Sequence, residues 1–345
     1  MSALSRKVCL VGPLPEPVGG ISVYCNRCVN SEFYYFYGEV IDMYAHTNKI
    51  ESNMVAKHHV VHTNFFISKI FWFWKKISYT NCVTVHFNFS SVNSLLFLLL
   101  CIKKNRRWVL MLHNGKLSYC TGIKSLLIKL ALKRFDVILA LSPKQEEYYA
   151  NLNFKNTTVP LNSYLPPVIQ KKSGVYPFHG VFEKFNRVIL GSGYSLEIYR
   201  FDLLIKYARL NPMIGVIVVT YGNSSKDITD LLNSSKIELE NFFVFDSMAE
   251  NEFLYLQSMA SAYVRPNDVD SFGIACADSI LLNTPVIASD VCSRFEGCTL
   301  FKAGDYSDFS RSINKVLNTP FSIPEGIIQR ERELKIKMYT EAYQL

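Results

Sequence analysis

The chain has 345 residues, of which 49% are hydrophobic, 14% aromatic and 19% charged. That length is more than one ordinary core organises, and that balance excludes a disordered chain, so two globular domains are expected. The net charge of +8 is concentrated: residues 1–170 hold 19 Lys and Arg against 8 Asp and Glu, a net +11, whereas residues 171–345 hold 18 against 21, a net −3. A basic front half suits an anionic membrane surface, a phosphorylated acceptor or a nucleic acid. No nucleic-acid motif accompanies the charge, so a nucleic acid is not expected as a partner. The nine cysteines are odd in number and scattered, the usage of a reduced, cytoplasmic protein. The longest apolar block, LLFLLLCI at 95–102, falls far short of the ~20 residues of a spanning helix. The apolar run near the start is too short for a signal peptide.

In chain order, KVCLVG (7–12) predicts a short strand, PLPEPVGG (13–20) a loop and ISVYCNRCVN the start of a helix. Cys25 and Cys28 have metal-site spacing without a second pair, and His58, His59 and His62 are equally isolated. Buried thiols and a polar loop are the plainer reading of both. NFFISKIFWFWKKISY (64–79) interleaves Phe and Trp with Lys69, Lys75 and Lys76, a basic amphipathic helix of the kind that lies in an anionic membrane surface. CVTVHFN (82–88), RWVLMLHNG (107–115) and FDVILALS (135–142) predict buried strands, with helices over 121–134 and 143–152. LNSYLPPVIQKKSG (161–174) breaks the rhythm with prolines and charges and reads as the interdomain linker, with Asn162 a plain linker residue.

The second half repeats the pattern. RVILGSG (187–193) predicts a strand ending in a Gly-rich turn, followed by an amphipathic helix at 200–211, strands at 214–223 and 241–246, and a helix at 249–262. AYVRP then reads as a strand, NDVDS as a loop, GIACADSILLN as a helix and TPVIAS (284–289) as a strand. Strand–helix alternation in both halves predicts an α/β protein of two Rossmann-like parallel-sheet domains, 1–168 and 169–326, with a charged terminal helix at 327–345 packing back on the first. Two such domains facing across a cleft would bind ligands at the carboxyl ends of their strands.

The stretch from Asp270 to Asp278 carries the chemistry. Asp270 lies in the loop and Asp278 near the first turn of the helix, with Phe272, Gly273 and Ile274 between them. Free N–H groups at a helix start favour a phosphate, and a glycine permits close backbone approach. Carboxylates on either side would accept hydrogen bonds from hydroxyls, as a sugar and a ribose flanking a diphosphate would offer. This stretch, with PVIAS at 285–289, resembles the donor-site signature of the large retaining glycosyltransferase family with the GT-B fold, often called family 4. GPLPEPVGGISVY resembles that family's amino-terminal Gly-Gly loop, LMLHNG its His-containing loop, and LGSGYSLEIYRFDLLI its segment of phosphate-binding basic residues. The family has glutamate at both acidic positions where this chain has aspartate. At the first basic position stands Ser192 or Gly193, and Arg200 remains without the usual glycine beside it.

The resemblance implies transfer of a sugar from a nucleotide-sugar, UDP-linked or secondarily GDP-linked, to a saccharide hydroxyl with retention, without a metal or other cofactor. Asp270 would hold the donor sugar, Asp278 the ribose, and His113 both reacting sugars. Gly19, Gly20, Arg200, Phe272, Gly273 and Ile274 would surround the diphosphate. The acceptor would be a lipid-linked saccharide of a bacterial surface polysaccharide such as O-antigen or capsule, handled on the inner face of the membrane. Asp270→Ala is then expected to abolish transfer without unfolding the chain. His86, placed like His113 after a strand, is a weaker candidate. Three alternatives stay open: Asp268 and Asp270 as the Asp-x-Asp metal motif of the other glycosyltransferase fold, a non-catalytic binding subunit of a polysaccharide assembly complex, and a nucleotide-sugar epimerase.

Overall fold

The structure, a computed structural model, describes residues 7–15, 19–30, 34–43, 57–59, 66–114, 117–167 and 174–345. His62, residues 16–18 of the amino-terminal loop and linker residues 168–173 lie outside the described residues. The chain divides into two compact units, Met1–Val168 with Gln329–Leu345, and Ile169–Ile328.

Unit 1 runs β1 (Val8–Gly12), α1 (Gly20–Asn30), β2 (Tyr37–Asp42), β3 (Lys57–His59), α2 (Phe66–Tyr79), β4 (Thr84–Phe89), β5 (Arg107–Leu112), α3 (Gly122–Leu132), β6 (Val137–Ala140), α4 (Pro143–Asn151) and β7 (Thr158–Pro160). Its strands pair in the order β3-β2-β1-β4-β5-β6-β7, all parallel. Burial on both faces is what the near-continuous apolar runs of β1 and β5 require. Ser142 caps α4, its Oγ accepting from the Gln145 amide, with Pro143 in the first turn where its missing N–H is not needed. The block LLFLLLCI is largely a 3-10 segment (residues 92–100) that packs against α2 and α3.

Unit 2 runs α5 (His179–Lys184), β8 (Val188–Ser195), α6 (Phe201–Leu210), β9 (Gly215–Ser224), α7 (Lys226–Glu238), β10 (Phe242–Asp246), α8 (Glu250–Met259), β11 (Ala262–Arg265), α9 (Ile274–Leu281), β12 (Val286–Ser289), β13 (Thr299–Phe301) and α10 (Tyr306–Leu317). Its sheet is also parallel, in the order β10-β9-β8-β11-β12-β13. Both sheets thus have Rossmann strand order, reversing between β1 and β4 in unit 1 and between β8 and β11 in unit 2.

The chain returns to unit 1 through α11 (Ile327–Tyr343). Tyr339 Oη lies 2.6 Å from Tyr24 Oη, and Tyr343 Oη lies 2.8 Å from both Tyr37 Oη and His86 Nδ1. Lys335 is buried and donates to the main-chain and side-chain oxygens of Asn162. His86 is therefore a core residue beneath α11, and Asn162 is an anchor for that helix rather than a plain linker residue.

Of the remaining expectations, the linker stands, with the unit boundary at Val168 and Ile169 inside it, and the Gly-rich turn needs correction. Residues 161–165 are packed rather than free: Leu161 N donates to Ala140 O, Arg27 Nη1 donates to Leu165 O at 2.8 Å, and Tyr164 and Leu165 are 1% exposed. The aromatic and apolar side chains around the prolines outweigh the turn signal. Gly191 and Gly193 lie inside β8 rather than in a turn after it. A Cβ there would sit 2.6 Å from Leu204 Cδ1 and 1.9 Å from Tyr199 Cδ1, so these glycines let side chains lie flat on the strand. Strands β3, β7 and β13 are not evident from periodicity because each is a three-residue strand at a sheet edge, and β2 because Gly38, Glu39 and Asp42 interrupt its apolar run.

Candidate functional site

In unit 2 the site lies where β8 and β11 separate. β11 ends at Arg265, and residues 266–273 loop out before α9 begins. Gly273, the N-cap of α9, has φ +83°, a left-handed conformation that glycine adopts without penalty. A Cβ there would sit 2.8 Å from Arg294 Nη1 and 3.2 Å from Asp270 Oδ2.

Asp270 is held from two sides. Its Oδ2 accepts from Arg265 Nε at 2.9 Å and from Arg294 Nη1 at 2.7 Å, while Oδ1 accepts from the Ser271 amide at 3.0 Å. The Asp270 side chain is 9% exposed and that of Arg294 is 2% exposed. Burial alone would raise the Asp270 pKa, but the two guanidinium groups outweigh it and hold the carboxyl well below the usual carboxylate range. Arg294 also donates to Phe272 O and to Ser289 O and Oγ, tying the loop to the end of β12. Arg265 donates further to Ser192 O, and its guanidinium lies 5.4 Å from the Tyr199 ring centroid.

The other sequence candidates fall around this cluster. Phe272 and Gly273 are buried, and Ile274 is the half-buried first residue of α9. Asp278 is in the second turn of α9 and 4% exposed, deeper than the first-turn position expected from sequence, because the helix starts only at Ile274. Arg200 sits at the start of α6 with φ +50°, itself taking the left-handed conformation. It forms a fork on Asp202 at 2.9 and 3.0 Å and reaches Asp268 at 3.1 Å. The hydrogen bonds it donates to Asp202 and then to Asp268 raise its pKa and keep it charged. Both carboxylates of Asp268–Val269–Asp270 are thus engaged by arginines.

In unit 1, Gly19 and Gly20 open α1 beyond the end of β1, and His113 follows β5. Ser22 Oγ accepts from the Gly19 amide at 2.9 Å, fixing the loop. Among the described residues, a Cβ on Gly20 would meet no heavy atom within 4 Å beyond its chain neighbours and its own helix backbone. His113 Nε2 lies 2.9 Å from Asn88 Oδ1, and its ring stands 4.9 Å from that of Tyr24 on α1. Burial pushes the His113 pKa down to about 3, so the ring is neutral near pH 7 and can hydrogen-bond without carrying charge. The carboxyl edge of the unit 1 sheet therefore brings together Gly19, Gly20 and His113. That of unit 2 brings together Asp270, Phe272, Gly273, Ile274 and Asp278, with Arg200 linked to the loop through Asp268.

Sequence reasoning missed Arg265 and Arg294. Arg265 had a usable signal, a charged residue in the strand pattern AYVRP, since buried charges occur where they are paired. Arg294 had none, because it lies 24 residues from Asp270 and only the fold joins them.

No family model matches the chain, and no curated protein matches it. Solved structures do. The chain is similar to the apo form of the lipopolysaccharide outer core galactosyltransferase WaaB, with 16% identity, 98% of this chain and 99% of that one covered, and a TM-score of 0.59. It is similar to an S. aureus TarM variant in complex with fondaparinux, α-GlcNAc-glycerol and UDP, with 13% identity, 80% and 56% coverage, and a TM-score of 0.56. It is also similar to a trehalose-6-phosphate synthase used to study glycosyl transfer with retention, with 9% identity, 99% of each chain covered, and a TM-score of 0.67. At these identities the likeness establishes the fold, that of the GT-B glycosyltransferases.

Proposed function

We propose that the chain is a glycosyltransferase moving a sugar from a nucleotide-sugar to a saccharide hydroxyl with retention of configuration. The observation that carries the reading is the placement of a positively flanked carboxylate, Asp270, and a glycine-capped helix start at the reversal of strand order in unit 2, on a fold shared with glycosyltransferases. In this reading unit 2 takes the donor. The amides at the start of α9 face the diphosphate, and Asp270 Oδ1 accepts from a donor-sugar hydroxyl while Asp278 serves the ribose. Negative charge develops on the leaving diphosphate as its bond to the sugar breaks. Fixed amides and guanidinium groups meet that charge without reorganising. Arg200 adds to that field. In unit 1, by itself, the Gly19–Gly20 loop offers amides to an anion and neutral His113 is able to hydrogen-bond a sugar hydroxyl.

Pairing of Asp268 with Arg200 and of Asp270 with two arginines supports a metal-independent mechanism, since a divalent ion would have to displace a guanidinium. A UDP-sugar is the first expectation for the donor and a GDP-sugar the second. The acceptor is proposed to be lipid-linked, in the assembly of a bacterial surface polysaccharide. Supporting this, unit 1 exposes Ile67 and Phe71 on α2, Leu100 in the 3-10 segment and Ile123 and Leu126 on α3, with Lys75, Lys104 and Lys124 exposed among them. Apolar side chains among lysines suit an anionic membrane surface, and among the described residues no helix is long and apolar enough to cross one.

A thermal-shift panel of UDP, GDP, CMP and dTDP with their common sugar conjugates, with EDTA or manganese, tests the reading, because a ligand of the folded state raises the melting temperature. An EDTA-insensitive shift with one nucleotide class, followed by donor hydrolysis above background, is expected. A second reading, a non-catalytic glycan- or nucleotide-sugar-binding subunit, draws on the saturation of Asp270 Oδ2 by two arginines. A shift without turnover would select it.

A further inference from the structure

The segment from β8 into α6 lacks a basic residue at Ser192, whose Oγ is instead bonded to Tyr263 Oη at 2.8 Å. A guanidinium nevertheless reaches that place: Arg265, from the neighbouring strand β11, donates to Ser192 O. Arg294 approaches the same carboxylate from the loop between β12 and β13. Two guanidinium groups and one carboxylate leave a buried cluster with a net charge of +1, directly beside the start of α9. Gly273 has left-handed backbone and no room for a Cβ against Arg294 Nη1, so the first turn of α9 is built around that guanidinium.

We infer that Arg294 is a positioning residue of the donor site, which fixes Asp270 through Oδ2 so that Oδ1 is presented, and whose charge makes the Arg265–Asp270–Arg294 cluster the anchor for a nucleoside diphosphate. The inference rests on the donor-site reading. Arg294 does not touch the ligand; its side chain is closed off between Asp270, Phe272 and Ser289. It acts by holding the carboxylate and by supplying a field that is already in place when the anion arrives. Removing Arg294 leaves Arg265 and Asp270 as a balanced pair, so the fold is expected to survive while the net charge falls to zero. Removing Asp270 instead would leave two like charges facing each other.

The test is isothermal titration of the full chain and its Arg294→Met and Arg294→Lys variants with UDP and GDP, at low and high salt. Wild type is expected to bind one nucleotide, more weakly as salt rises. Arg294→Met should bind it at least about tenfold more weakly, since one unit charge acts on that scale even from ~12 Å in an effective dielectric of ~20, and with a flatter salt dependence. Arg294→Lys, which restores the charge, should recover most of the affinity and the salt dependence. Melting temperatures without ligand control for folding, and if Arg294→Met does not fold, Arg294→Gln against Arg294→Lys makes the same comparison. Unchanged affinity in Arg294→Met would overturn the inference and leave the donor-site reading standing. So would equal losses in the Met and Lys variants. Failure of wild type to bind either nucleotide would remove both.

Discussion

Alanine at position 270 would leave Arg265 and Arg294 buried without the carboxylate they share. Removing one partner from such a buried arrangement destabilises by about 3–5 kcal/mol. Asp270→Ala is therefore expected to lower the urea midpoint as well as any activity, a loss of stability beside the loss of transfer, without unfolding, expected from sequence. A melt indistinguishable from wild type would show that the two ion pairs contribute nothing to the fold. Gly20 offers a cleaner probe, because a Cβ there meets open space among the described residues. Gly20→Val should keep the wild-type melting temperature yet reduce donor turnover by about tenfold or more if a ligand approaches the start of α1 closely. Equal turnover in the two proteins would place the ligand elsewhere.

Among the elements, β8 depends on glycine for a packing reason. Tyr199 lies where a Cβ on Gly193 would be. Gly193→Ala should cost about 1–3 kcal/mol by overpacking, and Tyr199→Ala in the same chain should recover part of that loss, a non-additivity that a double-mutant cycle in urea would measure. Helix α11 is held by a group that titrates. Burial pushes the Lys335 ammonium down to about 7, from 10.5 in the unfolded chain, against the opposing pull of Glu331. Between those values the unfolded chain binds more protons, so stability should rise with pH across that window, the penalty being largest below about pH 7. Urea midpoints at pH 7 and pH 9 should therefore rise more in wild type than in Lys335→Met. Parallel changes in the two proteins would mean that Lys335 is not the source.

At the scale of the molecule, charge and apolar exposure coincide in unit 1. Residues 1–170 carry a net +11, and α2, α3 and the 3-10 segment expose apolar side chains among lysines. Co-sedimentation with phosphatidylglycerol vesicles is expected, weaker at high salt and weaker still for the Ile67→Glu and Phe71→Glu variants, since both attraction and insertion would be reduced. Binding that ignores salt and both substitutions would remove this surface from the account.

The fold was legible because parallel, helix-flanked strands announce themselves locally. Runs such as KVCLVG and RWVLML are apolar throughout because both faces of the sheet are covered, and Ser142–Pro143 marks a helix start within a few residues. The stretch from Asp270 to Asp278 was legible for the same reason, being one loop and one helix read in order. What tertiary structure alone decided are the pairings that span the sequence: Arg294 with Asp270, Arg265 with Ser192, Lys335 with Asn162, and His86 with Tyr343. Each is a polar group made tolerable by a partner brought in from another element, and burial gives such a group its energetic weight. No local pattern of residues carries that information, because the partner is chosen by the fold and not by its distance along the chain.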